Sequence, residues 1–466
     1  MTNAKSRLFA AVAGALSLGA TAAWAQPSAQ DVKIQELQNK VEALEARQAA
    51  TTKDLAATID SILRDAEKRS QLLATNGEAS AGYDGGFFIK AGDAWVLRPG
   101  AFFQFRNVTS YREDAKPTED DAWDNGFEMR RMRFFLAGNA FSKDLDYYIE
   151  WDTNRDSGNL VLFEAWARYF FAEDWGLRVG QFKDLSTHEW ITSSKRQLVA
   201  DFSLVDSLLG GSGMGMYTQG VTLIYGGQRN RAVNIEAGYI DGANQSNTDF
   251  TSRGEPLPLS EPAVGYLSSP PKHAFDWGVT GRAEWKAMGD WNDYRDFTAK
   301  GTTKDLLVLG IGGDWSQGGD GNLGIFSADA QYEHPKGLGL YAAGLVKFMD
   351  GELSGMPKDT TDWGFLVQGS YLLNGNWEIF ARYDVTFLDV DVLAADGHTQ
   401  DDFHEITVGV NYYLGQGGSA FHRAKITVDL TYLPNGAPTE VRGIDVLDNN
   451  GFEAEWMLRA QFQLLI

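Results

Sequence analysis

From residue 96 to its end the sequence is ruled by one pattern. Segments of about 8–14 residues alternate apolar with polar side chains, separated by Gly, Asp, Asn and Ser. Successive side chains leave a strand on opposite faces, so period-two alternation predicts antiparallel strands. Sixteen segments qualify: 96–107, 127–141, 145–153, 160–171, 176–182, 220–226, 233–242, 273–285, 306–315, 325–333, 339–349, 362–373, 377–388, 404–414, 424–433 and 453–466. The chemistry of the two faces narrows the fold. In "LDYYIEWD", Leu145, Tyr147, Ile149 and Trp151 oppose Asp146, Tyr148, Glu150 and Asp152; in "VLFEAWARYFF", Val161, Phe163, Ala165, Ala167, Tyr169 and Phe171 oppose Glu164, Trp166 and Arg168. A face charged in mid-strand is no dry core, but it can line water while the apolar face meets lipid.

The connections point the same way. "SKDL", "AEDWG", "HPKG", "NGN" and "GQGG" are tight turns after even-numbered strands, whereas 183–219, 243–272, 389–403 and 434–451 are long loops after odd-numbered ones. Two connections break the rule: 154–159 is short for the long side and 286–305 is long for the short side. Short turns at one end and long loops at the other predict an all-β, 16-stranded antiparallel transmembrane β-barrel of the outer-membrane kind. A propeller or stacked sandwich would show blade repeats or polar outer faces, and the chain has no internal repeat.

Residues 1–25 have the form of a cleaved signal peptide: Lys5 and Arg7, the apolar "LFAAVAGALSLGA", then the small-x-small "AWA". Residues 31–73 lack glycine and proline, and a heptad seam runs through Ile34, Leu37, Val41, Leu44, Leu55 and Ile62. Apolar a and d positions predict a short helical coiled coil, periplasmic because an even strand count leaves both barrel ends on the short-turn side. A lone amphipathic helix is the alternative. A linker at 74–86 then leads into the barrel domain, 87–466. Absence of cysteine excludes disulfides and thiolate metal sites. A formal net charge of −22 disfavours nucleic acid as a partner. Much of the acidity falls in loops such as "REDAKPTEDDAWD" and "DVDVLAADGHTQDD", where it would suit divalent cations at a lipopolysaccharide surface.

Against that acidity stands "RRMRFFLAG" at 130–138. Period two places Met132, Phe134 and Leu136 toward lipid, Arg131 and Arg133 into the lumen, and Arg130 on the outer face at the membrane rim, where its stem can snorkel. Arg98 and Arg106 on the first strand, with Arg168 and Arg178 on the fourth and fifth, join the inward set. Arginines on neighbouring strands can form an anion-selecting track. Alternatively, Glu150, Asp152 and Glu164 on the same face pair with them and cancel the charge. The loop 183–219 is long and apolar; Trp190, Leu198, Phe202, Leu204 and Leu208 need burial. Folding inside the barrel would narrow the pore and set Lys183, Lys195, Arg196, Asp201 and Asp206 at a constriction. Burial against a neighbouring subunit is the other option.

The strings "GGFFIKAGDAWVLRPGAFFQFR", "RRMRFFLAGNAFSKDLDYYIEWD", "LRVGQFKD" and "THEWITSSKRQLVADFSLVD" resemble the phosphate-selective porin O and P family. The similarity runs over about 83–466 and is clearest before residue 226. It implies a homotrimeric outer-membrane porin with an inward third loop and a basic, anion-conducting lumen. Arg131, Arg133, Lys183, Lys195 and Arg196 best match the basic lining of that family. Asp201 and Asp206 in the loop depart from that pattern and put phosphate selectivity in question.

The expected function is passive diffusion of small anions, with phosphate as the candidate solute. The alternative is an outer-membrane tether whose coiled coil holds peptidoglycan or a periplasmic partner. The expected partners are other copies of the chain, outer-membrane lipid and small anions. No cofactor or metal is expected. Nor is enzyme activity, since the six histidines stand in loops or at strand ends without a GxSxG or HExxH pattern.

Overall fold

The computed structural model describes residues 79–112, 122–155, 157–229, 231–250, 270, 272–319, 321–350, 359–393, 397–438 and 452–466. The signal segment, the coiled-coil seam and residues 74–78 of the linker lie outside them. Strands β1 (Ala79–Tyr83) and β2 (Phe87–Ala91) pair as a hairpin, and β2 continues onto the start of β3. The second half of the expected linker is therefore strand: its small residues fit the close antiparallel register Ala79↔Ala91 to Tyr83↔Phe87.

Sixteen strands then close into one antiparallel barrel. In chain order they are β3 (Trp95–Arg112), β4 (Trp123–Asn139), β5 (Leu145–Thr153), β6 (Leu160–Phe170), β7 (Trp175–Lys183), β8 (Tyr217–Tyr225), β9 (Val233–Ile240) and β10 (Trp277–Met288). They continue as β11 (Leu306–Gly318), β12 (Gly321–His334), β13 (Leu338–Asp350), β14 (Thr360–Leu372), β15 (Trp377–Leu393), β16 (Thr399–Tyr413), β17 (Ala424–Leu433) and β18 (Glu455–Leu465). Each expected strand is found. Neighbours pair in order, and β18 closes on β3 from Glu455↔Arg112 to Leu465↔Phe102. Ile466 exchanges both backbone hydrogen bonds with Ala101, which seals the seam. Closure leaves no strand edge unpaired in hydrocarbon, where an unmet amide is costly.

The outer face carries the expected apolar side chains, bounded by two aromatic belts. Trp175 with Tyr225 and Trp377 with Tyr412 stand at the short-turn end; Tyr111 with Trp123, Trp363 with Phe387 and Tyr432 with Trp456 stand at the long-loop end. All five are directly opposed cross-strand partners. Trp377 and Phe387 lie ten residues apart on β15. At ~3.3 Å per residue and ~40° tilt that is roughly 25 Å along the membrane normal, the height of a bilayer's apolar band. Aromatic rings with polar edges favour the two interfaces.

Candidate functional site

The interior is built by the connection between β7 and β8, which turns into the barrel instead of away from it. It contains α1 (His188–Ile191), a 3-10 turn at Ser194–Arg196, α2 (Leu204–Leu209) and a π turn at Gly211–Gly215. Ser203 caps α2 by accepting from the Asp206 amide. Leu198, Val199, Leu204, Val205, Leu208 and Leu209 are buried against Leu323, Leu345, Leu366, Phe403 and Met457 of the barrel wall. The apolar residues of 183–219 are thus covered within the same chain. Backbone groups of the segment are met all along that wall. The Ala200, Leu204 and Val205 amides donate to Asp429, Glu405 and Asp384; Arg382, Lys425 and Gln463 donate to the carbonyls of Asp201, Gln197 and Lys195. Gly312 makes room for the approach: a Cβ there would stand 2.4 Å from the Ser186 carbonyl oxygen.

A second connection also turns inward. Residues 289–305, too long for their side of the barrel, bury Trp291, Tyr294 and Phe297. The Tyr294 ring stacks on His188 of α1 at 4.1 Å, with Phe297 edge-on to the same imidazole. The exception in the turn pattern is therefore a second lumenal element that braces the first.

The arginines of "RRMRFFLAG" depart from simple alternation. Gln104 pairs with Arg131 but Phe105 pairs with Met129, so Arg130 is the extra residue of a β-bulge. A bulge re-aims its side chains. Arg130 consequently points inward and binds Asp201 at 3.1 Å, a correction to the membrane-rim expectation. Asp201 lies at the focus of four guanidiniums, those of Arg106, Arg130, Arg131 and Arg459, the last at 3.8 Å. A matching bulge on β6, opposite Glu150 and Trp151, turns Phe163 inward. There it packs on Tyr217 at 4.8 Å and under Arg133 at 5.0 Å, although alternation assigned it to the lipid face.

Most of the expected basic track is paired. Arg133 binds Glu150 (3.1 Å) and Asp152 (2.9 Å), Arg168 binds Asp146 (2.5 Å) and Arg178 binds Glu236 (2.6 Å). Arg98 is exposed at the short-turn end, over the Phe88 ring of the leading hairpin. The cancelling arrangement therefore describes this part of the wall better than an open positive ladder. Lys183 is buried and donates to the Trp190 carbonyl at 2.7 Å. Asp206 is consumed by the segment's own fold, accepting from Thr187 and the Ser212 amide. Lys195 and Arg196 are different. Both are half-buried, and among the described residues neither side chain has an ion pair or a hydrogen bond; Lys195 lies over the Phe135 ring at 4.8 Å, within Coulombic reach of Glu150 and Glu164. Arg295, on the second inward connection, is likewise without either and lies in Coulombic reach of Arg196 and Arg168. Sequence reasoning missed Arg295. Its only signal was the misplaced length of 286–305.

Sixteen closed strands around a charged interior, with lipid-compatible belts outside, have the fold of a porin-like outer-membrane channel. Residues 104–255 match the family model described as phosphate-selective porin O and P, which bears out over that stretch the family its motifs point to. An anion-selective porin from Comamonas acidovorans superposes with a TM-score of 0.53 at 12% identity, over 79% of this chain and 99% of that one. OmpT of Vibrio cholerae (TM-score 0.48, 11% identity, 81% and 100% covered) is also similar. So is Salmonella typhi OmpF in complex with daunomycin (0.48, 12%, 83% and 100%). At these identities the shared property is the fold. No curated protein matches the chain.

Proposed function

We propose that the chain forms a water-filled channel for passive diffusion of small anions, with 184–216 as its constriction and three copies as the assembly in outer-membrane lipid. The observation that carries this is the set of cations left over at the narrow level. Lys195, Arg196 and Arg295 make no ion pair among the described residues, while Glu150, Asp152, Asp146 and Glu236 on the wall are engaged by arginine and Glu164 by the Trp166 indole N–H. A wet passage with surplus fixed positive charge concentrates anions and repels cations. The anion-selective character of the Comamonas acidovorans porin agrees with this reading.

Phosphate specificity is not part of the proposal. The strongest cluster of guanidiniums, where an oxyanion would be sought, already holds the carboxylate of Asp201. The channel is accordingly a general one. Reversal potentials of the purified protein in planar bilayers across a KCl gradient should show anion preference, and Lys195→Gln with Arg196→Gln should reduce it at least threefold. Cation preference in the parent channel would sink the reading. Asp201→Asn leaves four buried guanidiniums without their counter-ion and should lower the heat resistance of the barrel in detergent, while the parent current stays insensitive to millimolar phosphate. A phosphate response already present in the parent would reverse the argument about specificity.

A further inference from the structure

Between the constriction and the short-turn mouth, one arc of wall is lined by rings. Phe135 on β4, Tyr148 on β5 and Trp166 on β6 lie on three successive strands and face the lumen. Phe135 and Tyr148 stack at 6.0 Å and 27°, Tyr148 and Trp166 at 5.8 Å and 31°. All three are half-buried, unlike the fully covered rings under the inward segment. Their polar edges are already satisfied: the Tyr148 hydroxyl donates to Glu150 (2.5 Å) and the Trp166 indole N–H to Glu164 (2.9 Å). The surface they offer a passing solute is therefore ring face and ring edge. Cations border it on both sides. Lys195 is over Phe135 at 4.8 Å and Arg168 over Trp166 at 5.5 Å, with Arg196 and Arg295 beside them.

Resting on the anion-channel reading, we propose that this arc is a binding track for planar aromatic carboxylates. The solute ring lies against Phe135, Tyr148 and Trp166, and its carboxylate meets Lys195 and Arg196 or Arg295. Stacking on aromatic rings is favourable beyond the area buried, and a charged head draws the molecule to the adjoining cations. A sugar track would need donors and acceptors free beside the rings, and those of Tyr148 and Trp166 are spent within the wall. A small inorganic anion uses the cations but gains nothing from the rings.

Benzoate, cyclohexanecarboxylate and acetate share one charge and differ in ring character, so they separate the terms. Added to the full channel in KCl, benzoate should block the current saturably at millimolar concentration, at least tenfold more strongly than the other two. Phe135→Leu with Trp166→Leu should weaken that block about tenfold, at two- to tenfold per ring, in a channel that stays anion-selective in KCl. Lys195→Gln with Arg196→Gln keeps the rings and should weaken the block as well, which covers the case where the leucine variant fails to fold. Equal block by benzoate and acetate in an anion-selective parent overturns the track and leaves the anion channel standing. Benzoate block that survives either double variant also overturns it, as does block by maltose in place of benzoate. Cation preference of the parent in KCl alone marks failure of the underlying channel reading.

Discussion

The two sides of the lumen are made of the same kinds of residue and do opposite things with them. On β12 to β18 the inward side chains are sealed beneath the segment 184–216. Arg382, Lys347, Asp384, Glu405 and Arg459 each have 2% or less of their surface exposed. On β4 to β6 the inward side chains toward the short-turn end stay half-open, as Phe135, Asp146, Tyr148, Trp166 and Arg168 show. A charged residue on the covered side holds protein to protein. Arg382 donates to two carbonyls of the segment, those of Asp201 and Phe202, and pairs with Glu405 at 2.6 Å. A charged residue on the open side meets water and whatever passes. The inward face of a barrel is thus two surfaces, an internal core and a passage, and the inward segment decides which strands contribute to which.

The largest expected effect lies on the covered side. Arg382→Ala leaves Glu405, Asp384 and Glu189 buried without their cation, and breaking such a buried pair costs about 3–5 kcal/mol. The folded barrel should lose heat resistance in detergent, and single-channel conductance should rise several-fold as the segment loosens. Unchanged conductance would show that the segment is anchored without Arg382 and would blur the division between the two walls. Gly312→Val is the next largest. Its Cβ would meet the Ser186 and Leu185 carbonyl oxygens at 2.4 and 2.8 Å, so the segment must shift, at about 1–3 kcal/mol. Conductance histograms should broaden while the strands, read by circular dichroism, stay intact. A single sharp conductance level equal to the parent's would mean that the approach at Gly312 does not set the pore.

How much of this was legible in the sequence follows from what alternation can and cannot encode. Period two reports one bit per residue, inward or outward, and that bit located sixteen strands and the lumenal placement of Arg131, Arg133, Glu150 and Arg168. It fails where the backbone inserts a residue. Arg130 and Phe163 sit in bulges, and both faced inward against the alternation. Apolarity of 183–219 showed that the segment must be covered, but not by which strands, because the contacts with Glu405, Asp384 and Lys425 span about 180–230 positions. Arginine positions were also readable while their partners were not. Asp201, taken as a departure from the family's lining, is the counter-ion of four guanidiniums contributed by β3, β4 and β18.

Arg168→Ala tests the open side and should do least. Its pair with Asp146 is bidentate, at 3.1 and 2.5 Å, yet the two side chains are 31% and 29% exposed. Solvent-accessible pairs contribute about 0–1 kcal/mol, because water screens the attraction and ordering two side chains costs entropy. The guanidinium also rests on Trp166 and Phe170 at 5.5 and 5.4 Å, so some packing is lost with the charge. Thermal stability in detergent should therefore move by about 1 kcal/mol or less. Selectivity should move more visibly than stability: with Arg168 gone, Asp146 stands uncompensated at the mouth and anion preference falls modestly. Ionic strength separates the two contributions. If the pair acts as a screened mouth charge, the shift should shrink between 0.1 and 1 M KCl, as the Debye length drops from about 10 to about 3 Å. A stability loss matching that of Arg382→Ala would mean that this wall, too, is part of the barrel's inner core.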